Sequence, residues 1–176
     1  MNFHLAKQHG ATLIELMAVV SLGFILISIA IPSLSTHFER QRLIGIGDNL
    51  HFLMRYAKAQ SAKSNQVMWI RLEVSNKTSN KWRIALTDDK HCLFTASSPC
   101  TFNGVYRELR GAQYPGVTMR TNRRAISIDP LRGRGTTATV TFILNQLSLK
   151  LIKTQFGTHR VCSEFVALSM RYPRCI

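Results

Sequence analysis

Residues 11–31, ATLIELMAVVSLGFILISIAI, form an apolar run broken by a single charge, Glu15. A helix over this run, at about 1.5 Å per residue, spans roughly 30 Å, the thickness of a bilayer's hydrocarbon core. Pro32 follows directly, and the residues ahead carry Lys7 as their only full charge. A secretory signal peptide places its small-residue cleavage site behind the apolar region. Here the plausible cut, KQHG before ATLIEL, stands in front of it. The apolar helix is therefore expected to remain in the mature chain.

The segment Gly10-Ala11-Thr12-Leu13-Ile14-Glu15-Leu16 resembles the class III signal of type IV pilins and type II secretion pseudopilins. The Gly, the Glu five residues after the cut and Pro32 all sit at the family's spacing, with Ala11 where the family favours Phe. The resemblance implies that a prepilin peptidase cuts between Gly10 and Ala11 and methylates the new N-terminus. A lone carboxylate in hydrocarbon is costly unless it is protonated or paired. After cleavage the free amine of Ala11 is an available cation. The resemblance implies that its pairing with Glu15 sets subunit register in a filament, whereas physics alone also allows a Glu favoured by the dipole at a helix start. Proline breaks most helices, but the family keeps a long helix running past it.

Residues 36–63 continue as an amphipathic helix. Leu43, Ile46, Leu50, Leu53 and Ala57 recur at spacings of three and four and share one face, while Arg40, Arg42, Asp48, Arg55 and Lys58 fall mostly off it. Asn65 is the expected end. From residue 66 the period changes to two. Strands are expected over 67–72, 82–86, 117–119, 125–128, 139–144, 147–152 and 165–168, with turns at 75–81, 87–90 and 145–146. One long helix packed on an antiparallel sheet makes the fold class α+β. The stretch HFLMRYAKAQSAKSNQVMWIRL and the loop Asp129–Gly135 followed by residues 139–142 are similar to segments of the GspH/FimT branch of the pilin family. The organisation expected is a leader over 1–10, a membrane and filament-core half of the helix over 11–35, and a periplasmic globular domain over 36–176.

All four cysteines, Cys92, Cys100, Cys162 and Cys175, follow the apolar run. An even count in a translocated domain favours disulfides, and four cysteines permit three pairings. Pairing between neighbours gives Cys92–Cys100 and Cys162–Cys175. Zinc is the competing reading, but the sequence has neither a C-x₂-C nor a matching His spacing. It also lacks a phosphate-binding glycine loop, a GxSxG elbow and an HExxH helix. His159 and Cys162 are better read as a loop residue and a bridge half than as a nucleophile pair, and the six histidines as solvated positions. No enzyme, metal or cofactor is expected.

The chain carries 23 Lys+Arg against 9 Asp+Glu, a formal charge of +14, with 45% hydrophobic residues. The apolar fraction excludes a disordered polycation, and the charge excess attracts polyanions. Most of the excess lies late. From Leu109 onward eleven basic residues, nine of them Arg, meet only Asp129 and Glu164. Arginine binds phosphate bidentately, and contacts of this kind give sequence-independent, salt-sensitive DNA affinity. The FimT subgroup resembled here binds DNA in natural transformation through a short C-terminal GRxR-type motif. This chain has Arg171 and Arg174 in that region, with Met170 in place of the glycine and one residue more between the arginines. Arg132, Arg134, Lys150, Lys153 and Arg160 complete the expected DNA-contacting set, and Tyr172 is positioned in sequence to stack on a base.

The reading is a minor pilin of a type IV pilus, held in the inner membrane by a single span and then carried on the pilus. Its expected partners are extracellular DNA taken up in natural transformation, other pilins and minor pilins, and the prepilin peptidase. A structural minor pilin that primes assembly and a GspH-like minor pseudopilin of type II secretion are the alternatives.

Overall fold

The computed structural model describes residues 12–75, 81–95, 99–164 and 171–175, and the backbone alone at 29–33. The chain divides into two compact units, Met1–Phe38 and Glu39–Ile176. A single helix, α1, covers Leu13–Ser64 and continues through Pro32. Thr12 caps its start, its Oγ1 accepting the Glu15 amide at 3.3 Å. A threonine three residues ahead of a glutamate is the pattern that satisfies orphan amides at a helix N-terminus.

In the first unit the described large apolar side chains are exposed on every side of the helix. Leu13 is 80% exposed and Phe24 66%, with Leu16, Val19, Leu22 and Leu26 also exposed. The hydroxyls of Ser21 and Ser28 turn back onto the carbonyls of Met17 and Phe24, each at 2.8 Å. This removes their polarity from the helix surface. Among the described residues no helix is long and apolar enough to cross a membrane. The apolar run of residues 11–31 extends beyond the described side chains at both ends. The leader and the Gly10–Ala11 junction lie outside the described residues.

In the second unit the expected stripe is the buried one. Leu43, Ile46, Leu50, Leu53 and Ala57 all enter the core. α1 stops at Ser64, and Asn65 takes the left-handed conformation, φ 52°, that commonly ends a helix. The Ser61 hydroxyl ties this end to the carbonyls of Gln66 and Ile128 at 2.6 and 3.0 Å.

Among the described residues eight strands follow: β1 Met68–Val74, β2 Trp82–Thr87, β3 Glu108–Arg110, β4 Thr118–Thr121, β5 Ala125–Ile128, β6 Ala138–Leu144, β7 Leu147–Lys153 and β8 His159–Ser163. They form two four-stranded sheets, ordered β3-β2-β1-β5 and β4-β6-β7-β8, with antiparallel pairing throughout. Six of the strands match the period-two segments to within two residues. β3 and β8 were not expected, because three residues and a histidine-arginine start carry little alternation. The segment 165–168, expected as a strand, lies outside the described residues, as do residues 76–80 of an expected turn.

The inner faces of both sheets and the α1 stripe share one core. Trp82 joins the sheets: its indole N–H donates to the Val117 carbonyl at 2.9 Å and its ring meets Phe142 edge-on at 5.2 Å. The outer face of the first sheet is covered locally, where Ala85 is buried under Cys92, Cys100 and Phe94.

Candidate nucleic-acid interface

Both neighbour disulfides are closed, Cys92–Cys100 and Cys162–Cys175. The second staples the C-terminal tail to β8. Around it the Ser163 amide donates to the Pro173 carbonyl at 2.9 Å, and the Cys175 amide donates to the Ser163 carbonyl at 3.0 Å. The tail then reaches α1. The Tyr172 hydroxyl donates to Asp48 Oδ1 at 2.6 Å, and Arg171 Nη2 reaches the same carboxylate at 3.3 Å. Tyr172 is 9% exposed, and its ring occupies the space above Gly47, where an added Cβ would meet the hydroxyl at 2.7 Å. Burial, then the Asp48 carboxylate, raise its pKa well above the ordinary 10.0. Tyr172 is therefore a core residue, and the expectation that it stacks on a base is corrected.

The remaining expected contacts separate by strand parity. In β7, Leu149 and Leu151 face the core, and Lys153 shares their side. It is 4% exposed, with Nζ donating to the carbonyls of Thr136 and Thr154 at 3.4 Å. Its burial corrects the reading of Lys153 as a surface phosphate contact. Burial, followed by the charge of Lys58, lowers its pKa. Lys150 has the opposite parity and points to the outer face of the sheet, ion-paired with Glu164. The Lys150 pair, which supplies the larger effect, and a hydrogen bond from Ser148 at 3.0 Å hold the Glu164 carboxyl below its ordinary pKa. Arg160, one strand over and paired with Ile152, lies on that outer face as well. Arg132, Arg134 and Arg174 are exposed.

The loop bearing Arg132 and Arg134 is held by its glycines. Gly133, at φ 65°, lies under the Lys58 side chain, whose Cε is 3.0 Å from where a Cβ would stand. Gly157, at φ 83°, packs against the Arg132 carbonyl, which a Cβ would meet at 2.4 Å. The positive φ strains any other residue at either position, and a side chain at Gly157 would also press on the backbone of the Arg132–Gly133 loop.

One relation was missed altogether. His51 on α1 and His159 on β8 meet with ring centroids 4.9 Å apart. The buried Nε2 of His159 has no hydrogen-bond partner among the described residues. Desolvation lowers its pKa most, followed by the charges of His51, Lys58, Lys153 and Arg55. Both histidines had been read as solvated positions. The only signal available was parity, since His159 precedes the inward Val161 by two residues.

These contacts fall into line on α1. Asp48, His51, Arg55 and Lys58 follow one another at spacings of three and four, so they share one side of the helix. Asp48 holds the tail, His51 meets β8, and Lys58 carries the Arg132–Arg134 loop. The interval from Asp48 to Lys58 is about 15 Å at 1.5 Å per residue.

No protein-family model and no curated protein matches the chain. Among solved structures it is similar to the type IV minor pilin FimU of Pseudomonas aeruginosa, with a TM-score of 0.51 and 14% identity. The match covers 70% of this chain and 90% of that one. The fold is the type IV pilin fold. A second crystal form of FimU matches with a TM-score of 0.46 at 14% identity, covering 65% of this chain and 88% of that one. In the pilin fold an N-terminal helix packs on antiparallel strands, and here the basic strip runs along that helix at its edge with β8.

Proposed function

We propose that this chain is a minor pilin of a type IV pilus that captures extracellular DNA, without sequence preference, for uptake in natural transformation. Residues 1–10 are the leader removed by a prepilin peptidase between Gly10 and Ala11. Residues 11–35 hold the protein in the inner membrane as a single span and then enter the filament, with Glu15 setting register against the amine of Ala11. The head from residue 36 stands in the periplasm and then on the pilus, among other pilins. Likeness to the fold of a minor pilin supports the filament role, and so do the exposed apolar side chains of the first unit, among them Leu13, Leu16, Leu22, Phe24 and Leu26, which require a cover.

The observation that carries DNA capture is the strip itself. Over about 15 Å of α1 it gathers Arg171, His159, Arg55, Lys58 and the Arg132–Arg134 loop, and Asp48 is the acid at its tail end. Duplex DNA presents a phosphate on each strand for every 3.4 Å or so of helix axis, so the strip matches about four base pairs. The described head offers no recognition helix suited to reading bases, and contacts to phosphate carry no sequence information.

The test is a gel-shift titration of the full chain in detergent micelles with duplexes of unrelated sequence. Comparable retention of all of them, falling steeply with salt, is expected. Absence of retention at low salt would instead favour a structural subunit that primes the filament. The ion pairs Arg171–Asp48 and Lys150–Glu164 lend that second reading some support, because they use basic groups within the fold.

A further inference from the structure

The middle of the strip gathers basic side chains around His159. His51, Arg55 and Lys58 come from α1, Lys153 from β7 and His159 from β8, and every charge that acts on His159 is positive. Asp129, in the loop whose Gly133 lies under Lys58, keeps its charge and accepts the Leu131 amide at 3.0 Å. Lys153 finds only two carbonyls, and His159 Nε2 finds no hydrogen-bond partner among the described residues. Like charges gathered at a partly desolvated point oppose one another and the fold. An anion seated there would relieve several repulsions at once.

We propose that His51, Arg55, Lys58 and His159, backed by Lys153, form a subsite for a phosphate-class anion whose binding draws a proton onto the His159 imidazole. Arg55, Lys58 and His51 are exposed on the helix side, and His159 supplies a half-buried imidazole at the base, 4.9 Å from the His51 ring. The anion's charge favours the protonated imidazole, so binding takes up protons and strengthens as the pH falls through the histidine range. The subsite rests on the DNA reading only for the identity of its anion, a backbone phosphodiester.

Two measurements on the full chain in detergent micelles separate the site from the reading. In the first, the His159 imidazole is titrated by NMR with and without inorganic phosphate at matched ionic strength. Phosphate is expected to raise its midpoint by about one pH unit, equivalent to about tenfold tighter anion binding to the protonated form. Arg55→Gln with Lys58→Gln, both at exposed positions, is expected to abolish that rise. A midpoint unmoved by phosphate, or moved equally in the double variant, overturns the subsite. In the second, a labelled oligonucleotide is titrated by fluorescence anisotropy at pH 6 and pH 8. Binding about tenfold tighter at the lower pH, reduced to about twofold in His51→Gln with His159→Gln, supports the phosphodiester as the anion. Oligonucleotide binding indifferent to Lys58→Gln and to pH rejects the backbone phosphodiester as the anion of this subsite while leaving DNA capture elsewhere on the head. A phosphate-induced rise without any oligonucleotide binding upholds the subsite and rejects the DNA reading.

Discussion

The Tyr172 hydroxyl donates to Asp48 Oδ1 at 2.6 Å, joining the C-terminal tail to the middle of α1 across 124 residues. The ring lies over Gly47, and the hydroxyl is also 3.3 Å from the Ile44 carbonyl. One glycine in the helix is therefore a seat for the tail.

Two neighbouring glycines should respond oppositely to the same change. Gly45 has open space around a built Cβ, so Gly45→Ala should stabilise the head by about 0.5–1 kcal/mol through helix propensity. Gly47→Ala places a methyl within 2.7–2.9 Å of the Tyr172 ring and hydroxyl, and should displace the tail. We expect a net loss of about 1–3 kcal/mol, within the range for overpacking a filled site. Denaturant titration of the two variants checks the sign, and a Gly47→Ala protein as stable as the Gly45→Ala one would contradict the seat.

The disulfides divide the tail from the loop over the first sheet. Cys162→Ser with Cys175→Ser should cost about 2–4 kcal/mol and release the tail from β8. Limited proteolysis near Arg171 and Arg174 should accelerate in that variant alone. Loss of Cys92–Cys100, whose sequence separation of 8 is shorter than 13 for the other bridge, should cost less and leave tail cleavage unchanged.

Acid should weaken the fold through His159. Its pKa in the folded chain lies below the ordinary 6.5, so between those two values the unfolded chain binds more protons. Stability is then retained above about pH 6.5 and falls as the pH drops through that value towards the folded pKa. The depressed carboxyl of Glu164 acts in a lower window, being lost only below its ordinary 4.5. Melting curves by circular dichroism from pH 7.5 to 5 should show a falling Tm that His159→Gln flattens. Parallel profiles for the two proteins would remove His159 as the cause.

Processing tests the leader. With the prepilin peptidase present, the mature chain should begin at Ala11 and carry an N-terminal methyl group, and Gly10→Val should keep the leader attached. Intact-mass spectrometry distinguishes the outcomes, and a mature chain beginning before Ala11 would refute the cut.

DNA contacts should be unequal along the strip. Arg132→Ala with Arg134→Ala should weaken binding, and each lost phosphate contact should lower the log–log salt slope by about 0.9. Arg171→Ala should do less than Arg174→Ala, because Arg171 must exchange Asp48 for a phosphate whereas Arg174 is exposed. Lys153→Gln should lower the slope less than the loss of Arg132 and Arg134 does, because its amino group is held inside and acts on the phosphate from behind. Anisotropy titrations over a salt series measure each slope.

Local pattern was enough for much of this chain. The stripe from Leu43 to Ala57 and the alternation in residues 68–74 or 138–144 depend on bonded neighbours and the period of the backbone, which any sequence displays directly. The left-handed ends at Asn65 and Asn145 are legible for the same reason. Lys153 was within reach too: it continues the inward series Leu149, Leu151, so parity already turned it from the solvent.

What the tertiary structure decided is who meets whom. His51 and His159 are remote in the chain, and their contact exists because the β7–β8 register brings His159 opposite Lys153 at an edge that α1 covers. The same register sends Lys150 and Arg160 to the far face, so basic residues adjacent in sequence serve opposite sides of one sheet. Tyr172 was drawn inward by a gap that only Gly47 leaves and by an acid that only helix packing presents. Composition sets how much positive charge the chain carries. Strand pairing and helix docking set where that charge gathers, because electrostatic interaction depends on distance through space, and separation along the chain does not encode it.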